Sequence, residues 1–369
     1  MFNLVYLYFT EKLKEISKFF QIMLSDKKFY KTIQKINNYS EKGFHNSFQI
    51  SIFFDGDQIN FCGGYARVDS KLRWFSSGKP ITAIAISQLV ARKLLRYDNK
   101  IIEILPDFQG LKSNITIHNV LTHTIGLSEA ENANSLNSSN EIIDYICRSK
   151  QISGWVNGKR AGYQPTAGWH ILGKVIEKIT GQIYEQYIKE NILDPLKMIN
   201  SQSYGSPDIK TFNTLKSPNE ESFPKIPRNF PKPGSSFIGP ASDLLKIYQM
   251  LLNFGKVEKV SILDESNVKD MISSQRGMLY DETFQYSMDW GLGIMLNNST
   301  NTIGVPYGYG KYASRRSFGH GGIQSSIGFA DPLYNLAVVI IFDGQPGESR
   351  HNERMQSVIE VLYSDLDII

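Results

Sequence analysis

Trp74-Phe75-Ser76-Ser77-Gly78-Lys79-Pro80, continued at once by the apolar run 81–95, is the stretch that decides the fold. It places a hydroxyl and an amine three residues apart at the start of an expected helix. Residues at i and i+3 share a helix face. The Lys79 amine can therefore sit beside the Ser76 hydroxyl and, when neutral, take its proton, which is how a serine nucleophile is activated. The bare spacing is not selective. Ser-x-x-Lys also occurs at Ser25/Lys28, Ser222/Lys225 and Ser266/Lys269.

Context separates the four. Ser25 lies in a charged stretch, Ser222 in a proline-rich one, and Ser266 in the capping region of a solvated helix. Only Ser76 follows strand-like sequence and precedes an apolar helix, so only its side chain would be held at the edge of a core. Unpaired backbone amides and the dipole at a helix N-terminus also favour a developing negative charge. The alternative is that Ser76 or Ser77 is merely a helix cap.

Outward from this point, Phe48-Gln49-Ile50-Ser51-Ile52-Phe53-Phe54 reads as a strand, Asp55-Gly56 as a hairpin turn, and 58–62 as the returning strand. Residues 27–37 are expected to be helical, and the helix after Ser76 to end near Arg96. Further helices are expected at 141–148, 168–179 (closed by Gly181), 184–192 and 242–254 (closed by Gly255). The proline-rich stretch 201–234 is expected to be a loop at the rim of a cleft. Trp290-Gly291-Leu292-Gly293-Ile294-Met295 reads as a short strand, 326–330 as another, and Leu336-Ala337-Val338-Val339-Ile340-Ile341-Phe342 as a continuous apolar strand of a buried sheet. Residues 353–366 read as a closing helix.

The fold class expected is α+β: an N-terminal amphipathic helical extension (1–26), a sheet region made of 27–80 and 285–369, and a helical region (81–284) inserted between its halves, in one catalytic domain.

Composition bounds the function. The 369 residues are 41% hydrophobic and 21% charged, enough for a large globular core. The net charge of +4 is dispersed, and the basic pairs Lys27-Lys28 and Arg315-Arg316 are too short for a nucleic-acid footprint. Two distant cysteines, Cys62 and Cys147, indicate free thiols rather than a disulfide framework. Residues 2–24 carry charges at Glu11, Lys12, Lys14, Glu15 and Lys18, so they form neither a membrane span nor a clean signal peptide. The expectation is a cytoplasmic protein whose first helix packs on the protein itself, with a membrane surface or a partner as the alternative contact. No His-Glu-x-x-His occurs, the six histidines are scattered, and no metal or cofactor is expected. No Gly-x-Ser-x-Gly elbow is present. Gly308-x-Gly310-x-x-Ala313 imitates a dinucleotide fingerprint but follows no strand.

Two more segments bear on Ser76: Gly162-Tyr163-Gln164-Pro165-Thr166-Ala167-Gly168-Trp169, leading into a helix, and Phe318-Gly319-His320-Gly321-Gly322-Ile323, leading into a strand. With Ser76-Ser77-Gly78-Lys79 they resemble the three motifs of class C-type serine β-lactamases and penicillin-binding proteins. Leu121-Thr122-His123-Thr124-Ile125-Gly126-Leu127, Ala241-Ser242-Asp243-Leu244 and Trp290-Gly291-Leu292-Gly293 extend the resemblance in the right order. It implies an antiparallel sheet flanked by helices. It also implies Ser76 as the acylated nucleophile, Lys79 as its base and Tyr163 as a second base that protonates the leaving group. The oxyanion hole would be the backbone N–H groups of Ser76 and Ile323, with His320, Gly321, Gly322, Pro165 and Trp169 around the substrate.

The departures from the pattern set the substrate. The third motif has His320 where a β-lactamase has a lysine, and a histidine is mostly neutral at pH 7. The fixed cation for a β-lactam or peptide carboxylate is absent unless Arg315 or Arg316 replaces it. Pro165 stands where an asparagine is common. Both changes resemble the esterase and acyltransferase branches. The expected activity is hydrolysis of an ester, or less readily an amide, of a small or medium carboxylic acid. A transacylase, a D,D-peptidase or β-lactamase, and an inactive binding scaffold are the alternatives. His123 is read as a buried structural histidine, and Trp155 as either core or pocket lining.

Overall fold

The computed structural model describes residues 28–136, 138–203, 231–297 and 305–369. The expected helix at 2–24, Ser25, Ser222 and most of the 201–234 loop lie outside the described residues.

Among the described residues, seven strands form one antiparallel sheet. They are β1 (Phe48–Phe54), β2 (Asp57–Gly63), β3 (Asp289–Trp290), β4 (Met295–Leu296), β5 (Phe318–Gly322), β6 (Ser326–Asp331) and β7 (Leu336–Phe342), in the order β2-β1-β7-β6-β5-β4-β3. Segments far apart in the chain pair within it, where Phe48 of β1 faces Phe342 of β7 and Phe54 faces Leu336. All seven residues of β7 are buried because both faces of the sheet are covered, which is why its sequence is continuously apolar rather than alternating.

The pleat divides those residues between two cores. Ile50, Ile52, Ile327, Phe329, Val338 and Ile340 pack beneath helices Tyr30–Glu41 and Glu348–Asp365. The two helices are joined by Thr32, whose N–H and hydroxyl both donate to Asp365 Oδ2 at 2.8 Å. Ala330, Ala337, Val339 and Ile341 face the inserted helical region, which meets the sheet through helix Ala241–Leu252.

Helix Lys79–Ala91 runs through the middle of that region and is buried on all sides from Lys79 to Leu89. An all-round apolar helix is a core helix rather than an amphipathic surface one. It ends at Ala91, earlier than the apolar run suggests. Lys93 takes a left-handed φ of 57° and the Leu94 N–H donates to Leu89 O at 3.0 Å, so Leu95 is buried from a turn and not from a helix.

Three other expectations shift. The stretch 290–295 is not one strand: β3 and β4 pair as a hairpin, with Met295 opposite Trp290 and the intervening turn closed by Gly291 N–H to Ile294 O. The alternating glycines marked the turn. The segment 318–323 does lead into a strand, β6, through a turn at 323–325, but its residues Phe318–Gly322 are themselves β5. The helix at 184–192 is α-helical only over Tyr184–Ile188 and widens into a π turn at Lys189–Leu193. No described helix is long and apolar enough to cross a membrane.

Candidate active site

The site lies where helix Lys79–Ala91 begins against the C-terminal end of β5. Phe75 holds a left-handed φ of 49°, which a bulky side chain adopts only when its surroundings fix it. A single 3-10 turn, Phe75–Gly78, then presents Ser76. The turn is sewn to the sheet from below. Ser326 Oγ donates to Trp74 O at 2.6 Å and lies 2.9 Å from Ser77 Oγ, and Trp74 Nε1 donates to Gly239 O at 2.8 Å. The approach of β5 is close enough to require glycine: a Cβ on Gly322 would lie 2.4 Å from Trp74 O. Ile323 follows directly, in a turn that Ser325 N–H closes on Gly322 O at 3.1 Å.

Lys79 is fully buried, and its Nζ donates to Ser76 Oγ at 2.9 Å, to Pro165 O at 3.0 Å and to Gly234 O at 2.7 Å. It also lies 5.2 Å from the Trp169 ring and 5.7 Å from the Tyr163 ring. These neighbours are a hydroxyl, two carbonyls and two aromatic faces. Burial penalises the charge of the ammonium, while the acceptors and ring faces offset part of that penalty.

Tyr163 is fixed from behind. Its N–H donates to Asp281 Oδ1 at 2.9 Å and its carbonyl accepts from Thr283 Oγ1 at 3.0 Å. Asp281 is itself fully buried and paired with Arg276 at 3.0 Å, and Arg276 Nη1 reaches Thr122 O at 3.1 Å, next to the His123 turn. Around the Tyr163 ring stand His123 at 4.7 Å, Phe284 at 4.9 Å, Trp290 at 5.8 Å and His320 at 5.9 Å.

Both histidines are neutral. Burial, and then the charge of Lys79, pushes His320 down to about 3, and its Nδ1 lies 2.7 Å from Gly321 O. Burial first, then Arg276, His320 and Lys79, hold His123 well below the usual imidazole range, while its Nδ1 accepts the Gln164 N–H at 3.2 Å. His123 is thus the buried structural histidine expected. Arg315 and Arg316 do not supply the missing cation. They precede Phe318 at the opposite end of β5 from Ile323, and at roughly 3.3 Å per residue the strand alone holds the two ends more than ~10 Å apart. Trp169 is buried beneath Lys79, and Pro165 is exposed, reaching the site through its carbonyl. Trp155 packs as core, donating from Nε1 to Thr124 O at 2.9 Å.

Ser76, Lys79, Tyr163, His320 and Ile323 therefore converge from the two separate regions of the chain. Sequence reasoning missed Ser77, Ser326, Asp281, Arg276 and the Gly234 carbonyl. Their contacts span 120 residues or more in most cases, and only Ser77 sits in a motif, where its sequence context marks it as no more than a possible cap. Among the described residues, no group of three or more His, Cys, Asp or Glu side chains could hold a metal.

Comparison with known proteins bears on the family and the fold. The model of the Beta-lactamase family matches residues 36–362. The esterase/beta-lactamase LipL of Mycobacterium tuberculosis is 22% identical over 315 residues, covering 74% of this chain and 69% of its own. Among solved structures, a family VIII carboxylesterase superposes with a TM-score of 0.76 at 20% identity, over 92% of this chain and 97% of its own. EstCE1, described as a hydrolase with promiscuous acyltransferase activity, does so with a TM-score of 0.76 at 18% identity, over 91% and 99%.

Proposed function

The chain belongs to the Beta-lactamase family, and from that premise we propose that it is a serine hydrolase that cleaves an ester of a small or medium carboxylic acid through an acyl-enzyme on Ser76. The observation that carries this is the 2.9 Å contact between Ser76 Oγ and a fully buried Lys79. In its neutral form Lys79 takes the Ser76 proton as Oγ attacks the ester carbonyl. The backbone N–H groups of Ser76 and Ile323 hold the resulting oxyanion, each such donor contributing about 2.7–4 kcal/mol of barrier lowering. As the C–O bond breaks, Tyr163 delivers the proton to the departing alkoxide, and Lys79 restores it. Water then attacks the acyl-enzyme by the same route in reverse, releasing the acid and free Ser76. Residues drawn from 27–80, 81–284 and 285–369 all enter this cycle, which favours one catalytic domain.

The neutral His320 and the distant Arg315 and Arg316 argue for an ester over a β-lactam or a peptide carboxylate. The likeness to EstCE1 favours transfer to an alcohol or amine as a second outcome of the same acyl-enzyme. A panel of p-nitrophenyl esters, cephalosporins and D-Ala-D-Ala peptides, with and without an added amine, tests the reading. The expected order has short-chain esters turned over fastest. Fastest turnover of a cephalosporin would contradict the argument from His320.

A further inference from the structure

Resting on that hydrolase reading, we propose that the leaving-group end of the cleft is built for an alcohol that carries a positive charge, so that the preferred substrates are esters of amino alcohols. The leaving oxygen has to lie beside the Tyr163 hydroxyl, so the aromatic surface adjoining Tyr163 is within reach of the rest of the alcohol. From Tyr163 the aromatic surface continues to Phe284 at 4.9 Å and from Phe284 to Tyr307 at 6.2 Å. The Tyr307 ring lies over β5, where a Cβ on Gly321 would meet it at 2.4 Å. This wall ends on Glu348, which is exposed. Tyr307 Oη donates to Glu348 Oε2 at 2.7 Å, and Gln324 Nε2 donates to Glu348 Oε1 at 3.4 Å. Gln324, whose side chain makes this contact, directly follows the proposed oxyanion donor Ile323.

Among the described residues, the charges around this wall leave it negative. Arg350, on the same helix as Glu348, lies 5.8 Å from the Phe44 ring. Arg354 is buried, with its Nη groups on the carbonyls of Phe44, Gln324 and Gly344. Lys79 is held on Ser76, and Arg315 and Arg316 lie at the other end of β5. Glu348 occupies the first turn of helix Glu348–Asp365, and its full negative charge exceeds the roughly half positive charge of a helix N-terminus. An ammonium placed along Tyr163, Phe284 and Tyr307 gains from the ring faces and from the carboxylate at their end, whereas a carboxylate-bearing alcohol meets a like charge. Because Glu348 is in water, the discrimination is modest, on the order of three- to tenfold in kcat/KM at low salt.

Three butyryl esters test this: that of choline, that of its uncharged isostere 3,3-dimethylbutanol, and that of 3-hydroxypropionate. The expected kcat/KM order is cation, then neutral, then anion. The cation-to-neutral ratio is expected to fall toward one in Glu348→Gln and in about 1 M salt, where the screening length shrinks to about 3 Å. A ratio that Glu348→Gln leaves unchanged, or an order that favours the anion, overturns the subsite. Hydrolysis of the neutral ester with no charge preference overturns the subsite while leaving the hydrolase reading intact. Failure of all three esters, with no acylation of the protein, overturns both.

Discussion

Lys79 is the residue on which the chemistry turns, because its position does two things at once. Burial lowers the cost of forming the neutral amine that the reaction needs, and the i+3 spacing aims that amine at Ser76 Oγ. Lys79→Met is therefore expected to lower kcat by about 10²–10⁴ with the fold retained, since a methionine fills the same buried space. Tyr163→Phe is expected to lose a comparable factor, with the greater loss on esters of poor leaving alcohols, which depend most on protonation. Equal losses on p-nitrophenyl and alkyl esters, read from paired kcat/KM values, would exclude Tyr163 as the proton donor. Ser76 and Lys79 were legible because the pair sits at a strand-to-helix junction. Asp281 was not, since it acts through the backbone of a residue 118 positions away.

At the scale of elements, two turns have to be held together: the Phe75–Gly78 turn and the turn between β5 and β6. Ser326 joins them by donating to Trp74 O and contacting Ser77 Oγ. Ser326→Ala removes a donor from the Trp74 carbonyl and the acceptor of the buried Ser77 hydroxyl, and the expected cost is about 1–3 kcal/mol with a fall in kcat larger than any change in KM. A normal kcat in a destabilised variant would mean that the seam serves the fold alone. The Tyr163 loop depends in the same way on Asp281. Asp281→Asn removes the paired carboxylate of buried Arg276 and leaves only the weaker influence of Asp289, with an expected destabilisation of about 3 kcal/mol in urea unfolding. The β1–β2 hairpin was readable because Asp55-Gly56 punctuates alternating sequence, and the paired strands match it closely. The 290–295 stretch misled because apolar content alone does not separate one strand from a hairpin of two short ones. Only the hydrogen bond from Gly291 to Ile294 decides it.

Across the whole molecule, the sheet binds distant halves of the chain, and the site forms only when they meet. Apolar β1 and β7 announced the central sheet, whereas the pairing of residue 48 with residue 342 has no local signal. Burial leaves a stability signature as well. His45, His170 and His320 are each pushed down to about 3, and His123 and His351 well below the usual range, burial being the first cause throughout. Between about pH 6.5 and 3 the unfolded chain binds protons that these folded imidazoles refuse, so stability falls as pH falls through that window. Asp343, raised to about 6 by burial, and Glu185, also raised by burial, run the other way, but among the described residues they are two groups against five. The expected observation is a Tm that drops steadily from pH 6.5 to 4.5, and a flat Tm there would contradict the buried neutral histidines. The central claim, an acylatable Ser76 that the folded molecule activates, is tested most directly by intact-mass labelling with a fluorophosphonate on native protein, on Ser76→Ala and on native protein unfolded in urea. One adduct per chain on the native protein, and none in the other two samples, is the expected result. Labelling of Ser76→Ala at the native rate would contradict it.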